Sequence, residues 1–343
     1  MLGLLLALVC AGPLGAAAPD RPGLRQPIAS LRRQATIKLG ATADWVAISP
    51  GAVWVGSTSP NAVNRIDPRT NRLVATVVLP GEPCAGLAVG FGALWVPLCG
   101  KPARLARVDL ASNTVTDLPG IGPPMGEGGV TASPGSLWLV TDTAGTLARI
   151  DPVTRKVRQR VSLPPGSYNP LYYRGVVWVT NASGAAVTAV DAATGRVVTS
   201  IATGPNPRFL TAGGGAIWTL DQGDGALTKI DAKTRRPVRT VALGTPGHGG
   251  DIKFGCGLVW TTMAHVPLTA TDAGTGMVRR QWVGPGGDSL AVRGGVIWLT
   301  DYSAGTISRI EAKAALAGAC ARAAAGGRAA PRRRAANPTG RQP

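Results

Sequence analysis

The feature that most constrains this chain is a motif of about forty residues that occurs seven times. Each copy is centred on a tryptophan, at Trp54, Trp95, Trp138, Trp178, Trp218, Trp260 and Trp298. A glycine stands three residues before every one of them, and an acidic residue follows twelve to fourteen residues later. Four short apolar runs separated by turn residues fill each interval, which is the strand content of one propeller blade. The sequence therefore predicts an all-β fold, a seven-bladed β-propeller of four-stranded antiparallel blades.

The way the ring closes can also be predicted. The last repeat ends at Glu311 after three strands and lacks a fourth. Near the start of the chain, Ala-Thr-Ile-Lys-Leu at residues 35–39 matches Ala-Thr-Val-Val-Leu at residues 75–79, the fourth strand of the first repeat. We expect the N-terminal strand to complete the last blade, which would remove an exposed sheet edge.

The three repeated positions have structural explanations. Glycine before the tryptophan strand supplies the positive φ of a tight hairpin turn. The tryptophan is expected to lie between neighbouring blades, where its ring contributes a large apolar area. The acids are Asp67, Asp109, Asp151, Asp191, Asp231, Asp272 and Glu311. In six repeats Thr or Ser follows three residues later, so we expect these carboxylates to cap turn amides and to be structural, not catalytic.

The two ends of the chain differ in composition from the repeats. The first eighteen residues are almost wholly apolar or small and predict a secretory signal, residues 1–18, cut after Ala18. Residues 321–343 contain six arginines and no acid, which predicts a disordered basic tail. Between them we expect a linker over residues 19–34 and the propeller over residues 35–320. No other apolar run is long enough to span a bilayer, so we expect a soluble periplasmic or extracellular protein.

The charge balance suggests one class of partner. Lysine and arginine number 36 against 18 acids, a formal net charge of +18. Basic surfaces concentrate polyanions, so an anionic polymer of the cell envelope could bind the tail, although a solvated tail without a dedicated partner is the simpler interpretation. Export argues against nucleic acid as a partner, and we expect a monomer.

Cysteine usage fits export. Cys10 would leave with the signal, and the remaining four cysteines allow three pairings. Cys84 and Cys99 stand in loops that should emerge on one face of the second blade. Cys256 and Cys320 should lie at the opposite face, on the sixth and seventh blades. We predict the disulfides Cys84–Cys99 and Cys256–Cys320.

Function is expected on one face of the ring, where the loops that enter each blade and those that follow each tryptophan strand surround the channel. The candidates there are Asp44, Glu82, Glu127, Asp142, Tyr168, Asn169, Tyr172, Tyr173, Asn181, Arg208, Asp221, Asp224, His248, Asp251, His265, Asp288, Asp301 and Tyr302. From these we predict a ligand-binding set of Tyr168, Tyr172, Tyr173, Asn181, Arg208, Asp221, Asp301 and Tyr302.

Three tyrosines in this set are predicted to cluster in the loop entering the fourth blade. Aromatic rings beside carboxylates suit a sugar, a peptide or an aromatic ligand, whereas packing between blades is the alternative role for Tyr168, Tyr172 and Tyr173. Asp221 and Asp301 could bind a hard cation through oxygen, but no Asp-x-Asp-x-Asp-Gly loop occurs. Zinc is not expected, because the chain has only two histidines and its cysteines are assigned to disulfides.

One blade reads Gly-Ala-Val-Trp-Val at residues 51–55 and Asn-Arg-Ile-Asp-Pro-Arg-Thr-Asn at residues 64–71. These two stretches resemble the repeats of streptogramin (virginiamycin B) lyases and of YVTN-type propellers, and the resemblance extends over about residues 36–311. The resemblance implies a lyase that eliminates across an ester C–O bond with His and Glu side chains and a magnesium ion. The candidate catalytic residues are then His265 and His248.

This chain departs from the family pattern at several positions. The acid three residues after the blade tryptophan is kept only as Asp221 and Asp301, which are the candidate metal ligands. The other repeats have Ser57, Leu98, Thr141, Asn181 and Met263 there. No glutamate stands beside His265, where Met263 and Ala264 occur instead.

Three hypotheses therefore remain. The first is a non-catalytic propeller that binds a small molecule, glycan or peptide over its channel. The second is a lyase or hydrolase that uses His265, assisted by His248 or Asp221, with magnesium as its cofactor. The third is an interaction protein that docks to an anionic envelope through its basic tail.

Overall fold

The computed structural model describes residues 21–320, so the predicted signal and basic tail lie outside the described residues. It contains seven sheets in a ring, each built on an antiparallel blade, with the innermost strand of each sheet against that of the next and the last against the first. The prediction of a seven-bladed β-propeller is confirmed. None of the helices within residues 21–320 has the length and apolar character needed to cross a membrane.

The strands are numbered in chain order. The first two, outside the regular blade order, are β1 (Arg25–Pro27) and β2 (Ala35–Lys38). Blades 1 and 2 consist of β3 (Asp44–Ser49), β4 (Ala52–Ser57), β5 (Ala62–Asp67), β6 (Arg72–Val78), β7 (Glu82–Pro83), β8 (Ala88–Gly90), β9 (Ala93–Cys99), β10 (Arg104–Asp109) and β11 (Val115–Pro119). Blades 3 and 4 consist of β12 (Val130–Ser133), β13 (Ser136–Val140), β14 (Thr146–Ile150), β15 (Val157–Ser162), β16 (Ser167–Tyr173), β17 (Val176–Asn181), β18 (Ala186–Asp191) and β19 (Val197–Ala202).

The remaining strands form blades 5 to 7. They are β20 (Pro207–Gly213), β21 (Ala216–Asp221), β22 (Ala226–Asp231), β23 (Arg236–Ala242), β24 (Asp251–Gly255), β25 (Leu258–Met263), β26 (Val266–Asp272), β27 (Val278–Val283), β28 (Leu290–Arg293), β29 (Val296–Asp301) and β30 (Thr306–Glu311). A 3-10 turn (Ile28–Ser30) and a four-residue helix, α1 (Ala312–Ala315), complete the described chain. In blade 2 the innermost position is shared by β7 and β8, which pair separately with β9.

The core lies between the blades. All seven repeat tryptophans are at most 2% exposed. Trp178 of blade 4 shares an apolar cluster with Ile217 and Ile230 of blade 5. Trp298 of blade 7 shares one with Val53 of blade 1, across the point where the ring closes. The predicted position of these rings is therefore confirmed.

The glycines and acids of the repeat also have their predicted local roles. Backbone φ is positive, between 69° and 82°, at Gly51, Gly92, Gly135, Gly175, Gly215, Gly257 and Gly295. A carboxylate oxygen accepts the backbone N–H of the residue two positions later, at 2.7 to 3.1 Å, at Asp67, Asp109, Asp151, Asp191, Asp231 and Asp272. Glu311 differs, because it precedes α1 and makes no side-chain cap.

Both ends of the described segment, residues 21–320, are built into the last two blades. Strand β2 pairs with β30, with Ala35 opposite Arg309, and so supplies the fourth strand of blade 7 as predicted. Residues 19–34 were predicted to be a linker, but part of this segment packs on the ring. Strand β1 pairs in parallel with the outer strand β27 of blade 6, and Ile28 and Leu31 are buried in the cluster between blades 6 and 7. Periodicity could not reveal β1, because it belongs to no repeat.

The two predicted disulfides are present, Cys84–Cys99 within blade 2 and Cys256–Cys320 between the hairpin of blade 6 and the segment after α1. They lie at opposite faces, because Cys84 contributes to the channel mouth and Cys256 stands in the hairpin at the far end of β24. Cys256–Cys320 joins residues 64 positions apart and fixes the C-terminal segment against blade 6.

Candidate ligand-binding site at the channel mouth

Loops of blades 1, 2, 3, 6 and 7 meet at one end of the channel around a cavity of about 510 Å³, called here the mouth cavity. Its lining residues are Thr42, Asp44, Trp45, Gly56, Ser57, Thr58, Glu82, Pro83, Cys84, Gly126, Glu127, His248, Gly249, Gly250, Ala264, Gly287, Asp288, Tyr302 and Ser303. These segments enter blades or follow tryptophan strands, so the expected face does assemble. Of the predicted ligand-binding set, Tyr302 lines the cavity directly.

The charged wall of the mouth cavity is acidic. Asp44, Glu82, Glu127 and Asp288 line it, and no lysine or arginine does. Asp44 and Asp288 line the same cavity, and each alters the pKa of the other. Burial, and then the charge of Asp288, raises the pKa of Asp44 well above its usual value. Burial likewise raises the pKa of Asp288 to about 6, against the hydrogen bond that it accepts from Gly250 N–H.

Trp45 separates the mouth cavity from the interior of the channel, because it lines both spaces. Its indole reaches Phe209 of blade 5, with ring centroids 6.0 Å apart, although Trp45 belongs to blade 1. The residue lies at a β-bulge of β3 with φ of 52°, and its N–H donates to the Asp44 carboxylate at 2.6 Å. Positive φ is uncommon for a bulky residue and is often found at ligand-binding sites.

Below Trp45 the channel holds a second cavity of about 290 Å³, lined by the innermost strands. Its charged groups compensate one another, since Lys253 Nζ is 2.5 Å from Asp251 Oδ1. Asp251 also accepts the Ser289 hydroxyl at 3.0 Å. This lower cavity therefore presents no unbalanced charge to a ligand.

A hydrogen-bonded network stiffens the rim at blades 3 to 5. Arg208 Nε donates to Glu127 Oε2 at 2.7 Å, and its guanidinium lies over the Tyr168 ring at 4.6 Å. The Tyr168 hydroxyl donates to Gly126 O and accepts from Arg208 at 3.0 Å. Burial raises the pKa of Tyr168 to about 12, so the phenol remains a donor at neutral pH. Tyr168 and Arg208 position Glu127 and are not themselves part of the cavity lining.

The two histidines occupy the same side of blade 6 but different surroundings. His248 is exposed and lines the mouth cavity. His265 is exposed in the turn between β25 and β26, with φ of 65°, and is not among the lining residues. The backbone connects the two turns, since Ala264 N–H donates to His248 O at 3.4 Å.

The predicted clustering of three tyrosines is wrong. Tyr168 is at the entry of β16, whereas Tyr172 and Tyr173 are at its other end, four and five residues further along an extended strand. Tyr172 and Tyr173 are half-buried against the apolar clusters on the two sides of blade 4. They pack blades together, which was the alternative interpretation.

Three polar residues that stand three positions after a blade tryptophan form hydrogen bonds with nearby groups of their own blade or its loops. Asn181 is 3% exposed, donates to Pro165 O at 2.9 Å and accepts Gly184 N–H at 2.6 Å. Asp301 accepts Ala304 N–H at 3.0 Å. Asp221 is fully buried and accepts the hydroxyls of Thr219 and Thr228, both at 2.6 Å. Burial nevertheless raises the pKa of Asp221 to about 6.

These positions do not fit the magnesium site that the lyase resemblance implies. Asp221 and Asp301 are on blades 5 and 7, and the hydrogen bonds given above engage Asp221 with two threonines of its own blade and Asp301 with its own loop. Across residues 21–320, no three His, Cys, Asp or Glu side chains are grouped so as to hold a metal ion. We therefore derive no catalytic step through magnesium.

No protein-family model and no curated protein matches this chain. The fold places it in the class of seven-bladed β-propellers.

Sequence reasoning missed Trp45 altogether. The one available signal was its position, since Trp45 and Trp282 are the two tryptophans outside the repeat. The sequence predicts Asp44 and Asp288 on the same face of the ring but does not indicate that they line one cavity. They stand 244 residues apart in the chain and meet only because blades 1 and 7 are neighbours in the closed ring.

Proposed function

We propose that this protein is an exported, non-catalytic β-propeller that binds a small ligand in the mouth cavity. The observation that carries the proposal is a single cavity of about 510 Å³ built by loops from five blades. Binding sites for small molecules are concave and typically occupy about 300–1,000 Å³, with a few convergent polar groups. The mouth cavity has this size, and it combines Tyr302 with carboxyl groups.

Two further features support an exported binding protein. Two disulfides are compatible with an oxidising compartment, as expected for the periplasm or the cell exterior. Cys84 of one disulfide lies in the cavity wall, and its carbonyl accepts Glu127 N–H at 2.6 Å. The disulfide and the Arg208 network together hold the rim in place, so a ligand would meet a site that is largely preformed.

We place binding ahead of the streptogramin-lyase-like alternative because of the histidines. A general base must reach the proton that it removes and is usually oriented by a second group. His265 is exposed on a turn outside the cavity lining. Within residues 21–320, no hydrogen bond or ion pair joins either imidazole to a carboxylate. The third hypothesis, docking to an anionic envelope polymer, concerns the tail and stays a separate proposal.

The test uses two equivalent positions on different blades. Ser303 and Ser183 each stand five residues after a blade tryptophan and are exposed, but only Ser303 lines the mouth cavity. We expect small-fragment ligands found by ligand-observed NMR on the parent protein to lose binding in Ser303→Trp, because the indole would fill the cavity. Ser183→Trp should bind them as the parent does. Fragments that bind both variants equally would contradict the proposal.

A further inference from the structure

We propose that the mouth cavity selects ligands carrying a positively charged ammonium or guanidinium group, held by its carboxyl groups beside the ring of Tyr302. This inference rests on the proposed binding function and specifies the chemical class of the ligand. It is carried by the charge distribution around the cavity, by three lining carboxyl groups that form no ion pair with lysine or arginine within residues 21–320, and by the exposure of one aromatic ring.

The charge of the mouth cavity is opposite to that of the chain. Basic residues outnumber acidic ones two to one, 36 against 18. The cavity lining nevertheless contains four acids, no lysine and no arginine, with His248 as its one basic side chain. A concave site lined by one sign of charge focuses the electrostatic field and attracts ligands of the opposite sign. An anionic ligand would be repelled here, although the chain as a whole is basic.

The acids differ in how their charge is compensated. Glu127 is bound by Arg208, with an N–O distance of 2.6 Å. Asp251, just below the mouth, is bound by Lys253. Asp44, Glu82 and Asp288 have no lysine or arginine within ion-pair distance among residues 21–320. These three carboxyl groups therefore form the part of the wall that a cationic group would contact.

The Asp44–Asp288 pair shows the same need for positive charge. Burial raises the pKa of both groups, and the charge of Asp288 further raises that of Asp44. A cationic group beside them in the cavity would favour the ionised form of both carboxyl groups. Glu127 and Asp251 gain less from a ligand cation, because each already forms an ion pair.

Tyr302 supplies the aromatic surface of the site. It is 45% exposed and lines the cavity. Burial raises the pKa of its phenol, followed by the charges of Asp44, Glu82 and Asp288, so the ring stands in the field of the same three carboxyl groups. A cation close to an aromatic face and to carboxylates gains from both contacts.

The test compares three probes of similar shape. At pH 7.5 benzylamine is a cation, benzyl alcohol is neutral and benzoate is an anion. We expect saturable binding of benzylamine, by NMR titration, about tenfold tighter than that of benzyl alcohol, as a few partly exposed charge contacts would give. Benzoate should bind more weakly than either.

Matched variants test whether the preference for benzylamine arises in the mouth cavity. Glu82→Gln should weaken benzylamine several-fold and leave benzyl alcohol unchanged. Asp224→Asn removes a charge from an exposed acid outside the cavity lining and should change neither. Tyr302→Ala provides a second cavity variant, and melting temperatures check that all three variants fold.

Three outcomes of these binding experiments would overturn the inference. If benzyl alcohol or benzoate binds as tightly as benzylamine, the cavity does not select cations, but the proposed binding function stands. If benzylamine fails to bind while other fragments bind in a manner sensitive to Ser303→Trp, the same conclusion follows. If no probe and no fragment binds, both the inference and the proposed function are wrong.

Discussion

At the scale of single residues, the repeat reflects backbone requirements as much as packing. At Gly51 φ is +76°, and a Cβ built there would meet no atom within 4 Å. Space therefore does not require glycine at this position, whereas the left-handed turn does. The glycine of each repeat is thus a conformational requirement of the hairpin that precedes the tryptophan strand.

Two glycines provide a matched test of this explanation. Gly51→Ala should destabilise the protein by about 1–2 kcal/mol, the cost of placing a Cβ in the left-handed region. Gly274 is also in a turn, but its φ is not positive, and an added Cβ would make only an ordinary contact with Asp272, at 3.4 Å. Gly274→Ala should therefore melt at or slightly above the parent temperature. If calorimetry shows the same loss of stability for both variants, the explanation by backbone φ is wrong.

At the scale of elements, the last two blades are completed by strands from the N-terminal part of the described residues. Strand β2 completes blade 7, and β1 extends blade 6 along its outer edge. Ile28 and Leu31, between these two strands, are buried against Leu316 and Ala319 from the other end of the chain. The N-terminal segment therefore protects a sheet edge and fills the interface between blades 6 and 7.

The contribution of this segment can be measured with a double variant. Ile28→Ala together with Leu31→Ala should lower the free energy of unfolding by about 4 kcal/mol or more, since each truncation of a buried aliphatic side chain costs about 2–5 kcal/mol. Val153→Ala, at a residue that is 80% exposed, is the control and should leave stability unchanged. A double variant that melts with the parent would show that the segment does not contribute to the core in solution.

At the scale of the whole molecule, the carboxyl groups fall into two sets with opposite pKa shifts. The turn acids accept backbone N–H groups, which lower their pKa; the Ser112 and Ala111 amides and Arg107 hold the pKa of Asp109 at about 2. Their stabilisation is present above about pH 4 and is lost as pH falls through the lowered folded values. Asp221, Asp288 and Asp44 have raised pKa values, mainly through burial. For them stability is greatest below about pH 4 and falls as pH rises through the folded pKa.

We expect these opposite shifts to appear in the pH dependence of melting. The parent protein should be most stable near about pH 4–5 and should lose stability both in stronger acid and towards neutral pH. For Asp221 the rise from 3.8 to about 6 corresponds to at most about 3 kcal/mol lost between pH 4 and pH 7.

The variant Asp221→Asn isolates this group. Because Asn cannot ionise, the difference in melting temperature between variant and parent should move in favour of the variant as pH rises from about 4 to 7. General effects of net charge cancel in this difference. A difference that stays constant over this range would show that Asp221 titrates at its ordinary pKa.

The sequence by itself determined the architecture. Gly51, Trp54 and Asp67 illustrate why: a turn, a buried ring and a cap act within a few residues of one another, and their sevenfold recurrence fixes the number of blades. Alternating strand direction assigned the two disulfides to opposite faces, and the match between residues 35–39 and 75–79 indicated the closing strand.

Only the tertiary structure decided the contents of the channel mouth. The contact of Trp45 with Phe209, the meeting of Asp44 and Asp288 in one cavity, and the docking of β1 on β27 join residues from different blades or from outside any blade. The repeated residues are those that every blade requires for its own turn, packing and cap. The distances between blades follow from the closed ring, which brings together loops that are far apart in the chain, and no periodicity in the sequence records which of their side chains then meet.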